Sequence, residues 1–449
     1  MAPAKKEIAV SRVGLESWLV PVKRPRQKGV VSASPSATGS RETSFLTQRR
    51  ALVLLCLLQF VVIAVLSFWQ IPNPPHAKPS HRTAYSLTNR EPFFLGNPGP
   101  WGELEFARIN IEPPDEFLPP TDRQLEPTRW FFEGQDAAQV KALLGGCELS
   151  PAQRTALANP AAWQVESDGV TLTPGADVIL ELAPQARLEI YRVLARSGRN
   201  EFHHWPYTYR SSGLLDWFGR SGLSATTLQW LNQLVYQRGD ALCFSDLPEV
   251  HARITDNAER HRLIKTLFRS SALLMKLRIR PDTDNSTLLG YWGRGGRAKD
   301  FRPLLDSLTQ VEGSIALDIA HLLPPFARKR LNTFPSPPAS PDQPTADCFW
   351  TSMNFFNDPP DDRYHDEKVW SRELEEKYAI AELPAFGDLV FLLQPDGTPV
   401  HAAVYIADNV LFTKNGGHLR QPWLLMKLED MLARYPVEQG VRVVCFRLK

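Results

Sequence analysis

The most regular pattern in the chain is a pair of β-type segments joined by an Asp-Gly turn. Phe386 to Leu392 and Val400 to Ile406 are rich in β-branched, aromatic and leucine residues, and Asp396-Gly397 lies between them. An Asp-Gly pair between two such segments is a strong signal for an antiparallel hairpin. A third β-type segment, Val410 to Thr413, follows closely. The sequence therefore predicts an antiparallel sheet, with His401 near the start of its second strand.

A cysteine begins an apolar segment that precedes this predicted sheet. Asp347 and Cys348 follow a stretch rich in Pro and Ser, and Phe349, Met353 and Phe356 then recur at helical spacing. This spacing predicts a helix that begins near Cys348. The dipole of a helix lowers the pKa of a thiol in its first turn and favours the reactive thiolate. We therefore expect an activated thiol.

His401 is the candidate base for Cys348, and two polar residues on the next strand could orient its ring. Thr413 and Asn415 alternate onto one face of the third segment. A nucleophile, a base and a polar orienting group form the arrangement used in covalent catalysis. We expect His401 to face the helix, with its ring within about 4 Å of the thiol. The catalytic candidates are thus Cys348 and His401, with Asn415 or Thr413 as the third residue.

The segment from Cys348 to the C-terminus resembles the NlpC-type cell-wall cysteine peptidases, a compact papain-like group. The resemblance rests on Asp347-Cys348 at a helix start, on Gly387 to Phe391 in the first strand, and on His401 followed by Val404 to Ile406. It implies that residues 346–449 form a papain-like antiparallel sheet with helices.

The resemblance also implies a function, the hydrolysis of peptide or amide bonds in the peptide stems of peptidoglycan. The chain departs from the family pattern at two places. Phe349-Trp350 stand where the family usually carries Ser-Gly, and Thr413 stands where the family often carries a histidine. The alternative function is therefore a catalytically inactive binding or scaffold protein of the cell envelope with the same fold.

The N-terminal part of the chain differs from the rest in composition. Residues 1–48 are rich in basic residues, Ser and Pro without apolar periodicity, which predicts a disordered basic tail. Residues 49–71 begin with Arg49-Arg50 and are otherwise uncharged, a length that could span a bilayer as a transmembrane anchor. A cleaved signal peptide is the alternative.

The charge pattern around this segment predicts its orientation. Basic residues lie on its N-terminal side, which the positive-inside rule assigns to the cytoplasm. We therefore expect a single-pass protein of the inner (cytoplasmic) membrane, with its C-terminal domains extracytoplasmic.

Between the predicted anchor and the cysteine domain, the sequence indicates three parts. The Pro-rich residues 72–125 predict an extended spacer, residues 126–333 predict a mainly α domain of unknown role, and residues 334–345 predict a linker. Helices are predicted near Ala258 to Lys276 and, in the C-terminal domain, over Trp423 to Tyr435. The predicted fold class is therefore α+β: a transmembrane helix, a mainly α domain and a papain-like sheet.

A Gly-rich loop in the predicted middle domain is a candidate binding element. Gly290 to Arg297 contains two aromatic and two arginine side chains just before a predicted helix. Arginine and aromatic side chains suit a carboxylate or a sugar ring. Trp292, Arg294 and Arg297 are therefore the substrate-binding candidates.

Composition and charge exclude several other classes. The formal net charge of the 449 residues is only +2, which does not indicate a nucleic-acid partner. No pair of the five cysteines has the spacing of metal ligands, so we expect neither a metal nor a cofactor. Cys147 and Cys243 could form a disulfide in an oxidising compartment, and two buried thiols are the alternative.

Overall fold

The computed structural model describes residues 93–119, 125–210, 214–239, 241–340, 343–435 and 440–449. In this part of the chain the fold is mixed α+β, with four antiparallel sheets. The strands are β1 Phe94–Leu95, β2 Glu103–Ile111, β3 Trp130–Glu133, β4 Trp163–Glu166, β5 Gly169–Leu172, β6 Tyr207–Arg210, β7 Tyr236–Arg238, β8 Ala241–Phe244, β9 Ser270–Ile279, β10 Ile315–Asp318, β11 Tyr378–Ala381, β12 Leu389–Leu393, β13 Pro399–Ala407, β14 Val410–Lys414, β15 Trp423–Lys427 and β16 Arg442–Leu448.

Helices connect and cover these sheets. The α-helices are α1 Ala137–Gly146, α2 Pro151–Leu157, α3 Ala176–Leu180, α4 Pro184–Leu194, α5 Glu201–His204, α6 Leu214–Gly219, α7 Ala225–Leu234, α8 Leu247–Arg253, α9 Asn257–Phe268, α10 Asn285–Trp292, α11 Ala298–Leu308, α12 Pro325–Arg330, α13 Cys348–Met353, α14 Glu367–Lys377 and α15 Leu428–Arg434. Short 3-10 helices cover Asp115–Phe117, Pro160–Ala162, Ile319–Leu322 and Asp362–His365.

The candidate site belongs to a six-stranded antiparallel sheet with the strand order β11-β16-β12-β13-β14-β15. The predicted hairpin is present as β12 and β13, with Leu389 opposite Val404. Its turn is closed by the Gly397 N–H, which donates to the carbonyl of Gln394 at 2.9 Å. Gly397 has a φ of 93°, a conformation that favours glycine because it has no Cβ.

The two faces of this sheet pack against different parts of the chain. On one face Val404 and Phe412 share an apolar core with Met353 of α13. On the other face Ala403 and Tyr405 share a second core with α15 and with apolar residues of β2 and β9. Alternation along β13 therefore decides which side chains meet α13 and which meet α15.

The middle of the chain is not the mainly α domain that the sequence predicts. β2, from the predicted spacer, pairs along its whole length with β9, from Glu103 opposite Arg278 to Ile111 opposite Ser270. The helix predicted over Ala258 to Lys276 ends at Phe268, and a strand follows. The reason is that β9 alternates between buried and partly buried positions and completes the core with β2.

The predicted membrane-spanning part of the fold class is not present in the described chain either. No described helix has both the length and the apolarity needed to cross a membrane. Residues 1–48 and the predicted anchor at 49–71 lie outside the described residues. The predicted fold class, a transmembrane helix with a mainly α middle domain, is therefore wrong, and a mixed α+β fold with several antiparallel sheets replaces it.

A third correction concerns the helix predicted over Trp423 to Tyr435. Its first half is β15, which pairs with β14 from Trp423 opposite Lys414 to Lys427 opposite Val410. Only Leu428–Arg434 is helical. The open edge of β14 offers hydrogen bonds to the apolar first half, and this long-range pairing overrides the local helical pattern.

Two further cores lie around the small sheets β3-β5-β4 and β6-β8-β7. Cys147 and Cys243 are both buried in the first of these cores and both are free thiols. The two cysteines are therefore buried free thiols in the structure and do not form the disulfide that was the other alternative.

Candidate functional site

Cys348 is the first residue of α13, as its position after Asp347 predicts. The Asp347 carboxylate is the N-cap and accepts a hydrogen bond from the backbone N–H of Trp350 at 2.8 Å. This bond satisfies a donor that has no partner inside the helix. The cap therefore places the thiol at the helix N-terminus, where its side chain is only 5% exposed.

The thiol is not activated in the way that its helix position predicts. Burial raises the pKa of Cys348 to about 12, and the charge of Asp347 adds to the rise. The backbone N–H groups of Ala402, Cys348 and Phe349 act in the opposite direction. Desolvation of the thiolate therefore outweighs the favourable helix end, and the thiol is neutral at pH 7 in this closed arrangement.

His401 is held by Thr413, which contacts one of its two ring nitrogens. His401 Nε2 lies 2.9 Å from Thr413 Oγ1, and the same hydroxyl lies 3.4 Å from the carbonyl oxygen of Ala402. In the tautomer with the proton on Nε2, the Thr413 hydroxyl accepts from this nitrogen, and Nδ1 is unprotonated, the form required of a base.

Asn415, the other candidate for the orienting residue, does not contact His401. Its Nδ2 lies 3.8 Å from the sulfur of Met426. Its Oδ1 is buried and has no hydrogen-bond partner in the described residues. Of the two candidates, Thr413 is thus the one that the fold brings to the imidazole.

His401 lies on the sheet face opposite the one predicted. Alternation groups it with Ala403 and Tyr405, on the face that packs against α15, and its ring stacks on Tyr435 with the ring centroids 4.4 Å apart. The helix that carries Cys348 packs against the other face. The expectation that His401 faces this helix is therefore wrong, and the reason is the register of β13.

β13 and β14 stop pairing near one end, and the Cys348 thiol nevertheless lies at this end of β13, which also carries His401. β13 and β14 pair only up to Val404 opposite Phe412, although both strands continue beyond this pair. Ala402 lies beyond this pair, and its backbone groups contact side chains. Its carbonyl accepts from Thr413, and its N–H lies close enough to the Cys348 sulfur to lower the thiol pKa. Cys348 thus contacts the backbone next to His401.

The thiol and the imidazole form no hydrogen bond with each other in the described part of the chain. His401 Nδ1 is buried and finds no hydrogen-bond partner within the described ranges. Tyr435 stacks on the His401 ring, and the charge of the Cys348 thiolate contributes to the raised pKa of Tyr435. A separation of about 4 Å between the two groups stays a prediction.

Burial keeps His401 neutral. It lowers the pKa of His401 to about 3, and the positive charge of Arg434 contributes to the fall. The ring is completely inaccessible to solvent. At pH 7 the pair is therefore a neutral thiol and a neutral imidazole.

The low pKa of His401 makes a prediction about stability. Unfolded His401 takes up a proton below about pH 6.5, whereas folded His401 stays neutral down to about pH 3. Its contribution to stability is therefore complete above pH 6.5 and is lost as the pH falls towards 3. In urea titrations, wild type should lose about 2 kcal/mol more than His401→Phe between pH 7 and pH 4.5. Equal losses in the two proteins would show that His401 is not buried neutral.

Lys414 is a buried charge at this site that sequence reasoning missed. Its Nζ donates to the carbonyls of Gly416 at 2.7 Å and His418 at 3.0 Å, and the residue is fully buried. Burial lowers its pKa to about 8, against the opposing effect of Asp347 and Cys348. Side chains alternate between the two faces of β14, so the residue after Thr413 lies on the opposite face. This alternation could have identified Lys414.

The three predicted substrate-binding residues lie at the other end of β13. Trp292 is fully buried, and its Nε1 donates to the carbonyl of Trp101 at 3.1 Å. Arg294 donates to the carbonyl of Phe386 at 2.9 Å, and Arg297 donates to the carbonyl of Leu322 at 2.5 Å. These side chains hold the fold together.

The distance from this end to the imidazole follows from the strand geometry. Arg294 also pairs with Asp388 at 3.2 Å, and the carbonyl of Asp388 accepts from the backbone N–H of Tyr405. Tyr405 is four residues beyond His401, which corresponds to roughly 13 Å along a strand. The structure therefore does not bring Trp292, Arg294 and Arg297 together with the candidate catalytic residues.

Comparison with known proteins adds no further assignment. No protein-family model, curated protein or solved structure matches this chain.

Proposed function

We propose that the chain is a cysteine hydrolase that cleaves amide bonds through Cys348 and His401. The proposal depends mainly on the hydrogen bond between Thr413 and His401 Nε2. In the Nε2–H tautomer this bond leaves the lone pair of Nδ1 free, and a thiol at a helix N-terminus lies at the same strand end. This is the combination of nucleophile, base and orienting group that covalent catalysis requires.

Each residue has a distinct role in the proposed reaction. The Cys348 sulfur attacks the amide carbonyl carbon while its proton moves to His401 Nδ1. Thr413 stabilises the imidazolium because its oxygen accepts from Nε2–H. The backbone N–H of Cys348, which has no acceptor within α13, is a donor for the oxyanion. The proton on Nδ1 then passes to the leaving amine, and a thioester forms on the sulfur.

Hydrolysis of the thioester completes the cycle. His401 Nδ1 accepts a proton from water, whose oxygen attacks the thioester carbonyl. The carboxylic acid is released and the sulfur recovers its proton from the imidazolium. Because Cys348 is only 5% exposed and His401 is fully buried, the substrate reaches the pair only after a local opening of the protein.

The resemblance to NlpC-type peptidases suggests which amide is cleaved. Peptide stems of peptidoglycan are the proposed substrate class, and purified stem peptides followed by liquid chromatography and mass spectrometry provide the test. Cleavage that depends on Cys348 supports the proposal, whereas intact stem peptides after long incubation with folded protein contradict it.

The proposed role of Thr413 predicts a difference between two variants. Thr413→Val keeps the shape of the side chain but removes the hydrogen bond to Nε2, and the loss of one such bond is worth about 1 to 3 kcal/mol. We expect kcat/KM to fall about 10- to 100-fold, since a factor of ten corresponds to about 1.4 kcal/mol. Asn415→Ala, the matched control just beyond the end of the same strand, should change kcat/KM less than about threefold, because Asn415 does not contact the imidazole.

The opposite ranking of the two variants would contradict this role. A large loss in Asn415→Ala with normal activity in Thr413→Val would make Asn415 the orienting residue.

A binding protein without catalysis is the second candidate function. The observation that favours it is the high pKa of Cys348, about 12, in a nearly inaccessible position. Iodoacetamide labelling separates the two candidates when it is repeated with stem peptides present. A hydrolase should protect or acylate Cys348 under these conditions, whereas a binding protein should leave its labelling unchanged.

A further inference from the structure

A concave site lies on the face of the sheet that packs against α15, the face that also carries His401. It is a cavity of about 130 Å³ between β2, β6, β9, β15, α6 and α15. An engineered cavity of about 150 Å³ holds a molecule of the size of benzene. The site is therefore large enough for a small organic group.

The lining of this cavity has an excess of positive charge. Arg108, Arg210 and Arg434 contribute guanidinium groups, and Asp430 contributes a carboxylate. Arg108 lies 3.1 Å and Arg210 lies 3.3 Å from Asp430, so this one carboxylate serves both. Arg210 also pairs with Glu429 at 2.6 Å.

Arg434 is the lining guanidinium for which the described residues supply no counter-charge. Its Nη2 lies 3.3 Å from the amide oxygen of Gln421, a neutral partner. Across the described ranges, no carboxylate lies within ion-pair distance of this side chain. A half-buried guanidinium without a carboxylate favours binding of an anion, because burial makes an unpaired charge costly.

A buried tyrosine in the same lining also lacks a partner. Tyr209 is 4% exposed, and its hydroxyl has no hydrogen-bond partner in the described part of the chain. Its ring is fixed by an edge contact with Trp217, whose centroid lies 4.8 Å away. A buried hydroxyl without a partner is rare, since burial removes its hydrogen bonds to water. Arg434 and Tyr209 thus offer two kinds of unused donor in one cavity.

We propose that this cavity binds an organic carboxylate, held by the Arg434 guanidinium and the Tyr209 hydroxyl. The planar guanidinium matches the two oxygens of a carboxylate. Trp217, Met426 and Ala433 line the rest of the cavity and suit a hydrocarbon portion. This mixed lining, with a single unpaired positive charge, favours an organic carboxylate over a hydrated inorganic phosphate.

Binding has a consequence for catalysis, and this consequence rests on the proposed function. The charge of Arg434 helps to hold the pKa of His401 low. A carboxylate on Arg434 neutralises that charge, so it raises the pKa of His401 and strengthens the base. A substrate or effector with a free carboxylate would therefore increase the reactivity of the Cys348 and His401 pair.

Isothermal titration with glutarate tests the binding site, and glutaramide is the uncharged control of the same size. Glutarate should bind. Glutaramide lacks the negative charge and inorganic phosphate lacks the hydrocarbon portion, so both should bind at least about tenfold more weakly. Arg434→Gln and Tyr209→Phe should each weaken glutarate binding at least about tenfold. Arg372→Gln, an exposed arginine of α14, is the matched control and should bind as wild type does.

Several results would overturn the carboxylate site. Equal binding of glutarate and glutaramide would show that the site does not recognise the carboxylate charge. Unchanged glutarate binding in both Arg434→Gln and Tyr209→Phe would show that these side chains are not the donors. If Arg434→Gln does not fold, Tyr209→Phe decides, since it removes a single oxygen. The titration is repeated with Cys348→Ala, so glutarate binding is measured whether or not the hydrolase proposal holds.

Discussion

Replacing Cys348 by alanine is expected to lower kcat/KM for hydrolysis of stem peptides by on the order of 10⁴-fold or more. The reason is that the thioester cannot form without the sulfur, and the remaining groups supply only binding and oxyanion stabilisation. Rates are measured from product formation by liquid chromatography, on protein whose thermal unfolding matches that of wild type.

Cys445→Ala is the matched control for this variant. Cys445 is another free thiol of the same sheet, on β16, and burial raises its pKa to about 11. Its side chain takes no part in the proposed reaction, so kcat/KM should stay within about threefold of wild type. Full activity in Cys348→Ala would contradict the assignment of the nucleophile.

Replacing Trp292 by alanine is expected to destabilise the protein by about 3 to 5 kcal/mol, the usual cost of removing a large buried aromatic side chain. Trp292 is fully buried, its ring packs against Phe386 with the centroids 5.2 Å apart, and its Nε1 bonds to Trp101. The variant loses this packing and leaves the Trp101 carbonyl without its donor. Urea unfolding followed by circular dichroism measures the change.

Trp205→Ala provides the control, because Trp205 is 70% exposed. We expect it to change the free energy of unfolding by less than about 0.5 kcal/mol. The comparison also tests the sequence-based interpretation of Trp292 as a binding residue. A Trp292→Ala protein with wild-type stability and reduced substrate affinity would show that this interpretation is correct and that Trp292 is not part of the core.

Local sequence patterns were sufficient for the elements that carry the candidate residues. The Asp-Gly turn predicts the hairpin of β12 and β13, and the polar residue before Cys348 predicts the start of α13. Alternation from His401 and Thr413 places both on one face, where they bond at 2.9 Å. Each of these relations depends on residues that are close in sequence or on adjacent strands of a meander.

Relations between distant segments could not be read from local patterns. β2 and β9 are separated by well over a hundred residues, and their pairing turns a helical pattern after Ser270 into a strand. β15 forms for the same reason, because the edge of β14 provides its hydrogen bonds. Long-range pairing of this kind competes with local propensity and commonly prevails.

The electrostatic state of the thiol was also beyond prediction from the sequence. A helix start predicts a lowered pKa for Cys348, whereas packing of the thiol beside Ala402 and near Tyr435 produces the burial that raises it to about 12. The sign of the shift depends on tertiary packing, since desolvation of the thiolate is larger than the effect of one short helix. The cavity beside Arg434 likewise needs six separate elements to form its walls.

In the proposed function, Cys348 forms a covalent thioester with its substrate. The most direct measurement is mass spectrometry of the intact protein, quenched with acid during turnover of stem peptides and followed by peptide mapping. We expect an added acyl mass on the peptide that contains Cys348, and this mass should be absent from Cys348→Ala. Turnover with no acyl mass at Cys348, or an acyl mass at another residue, would contradict it.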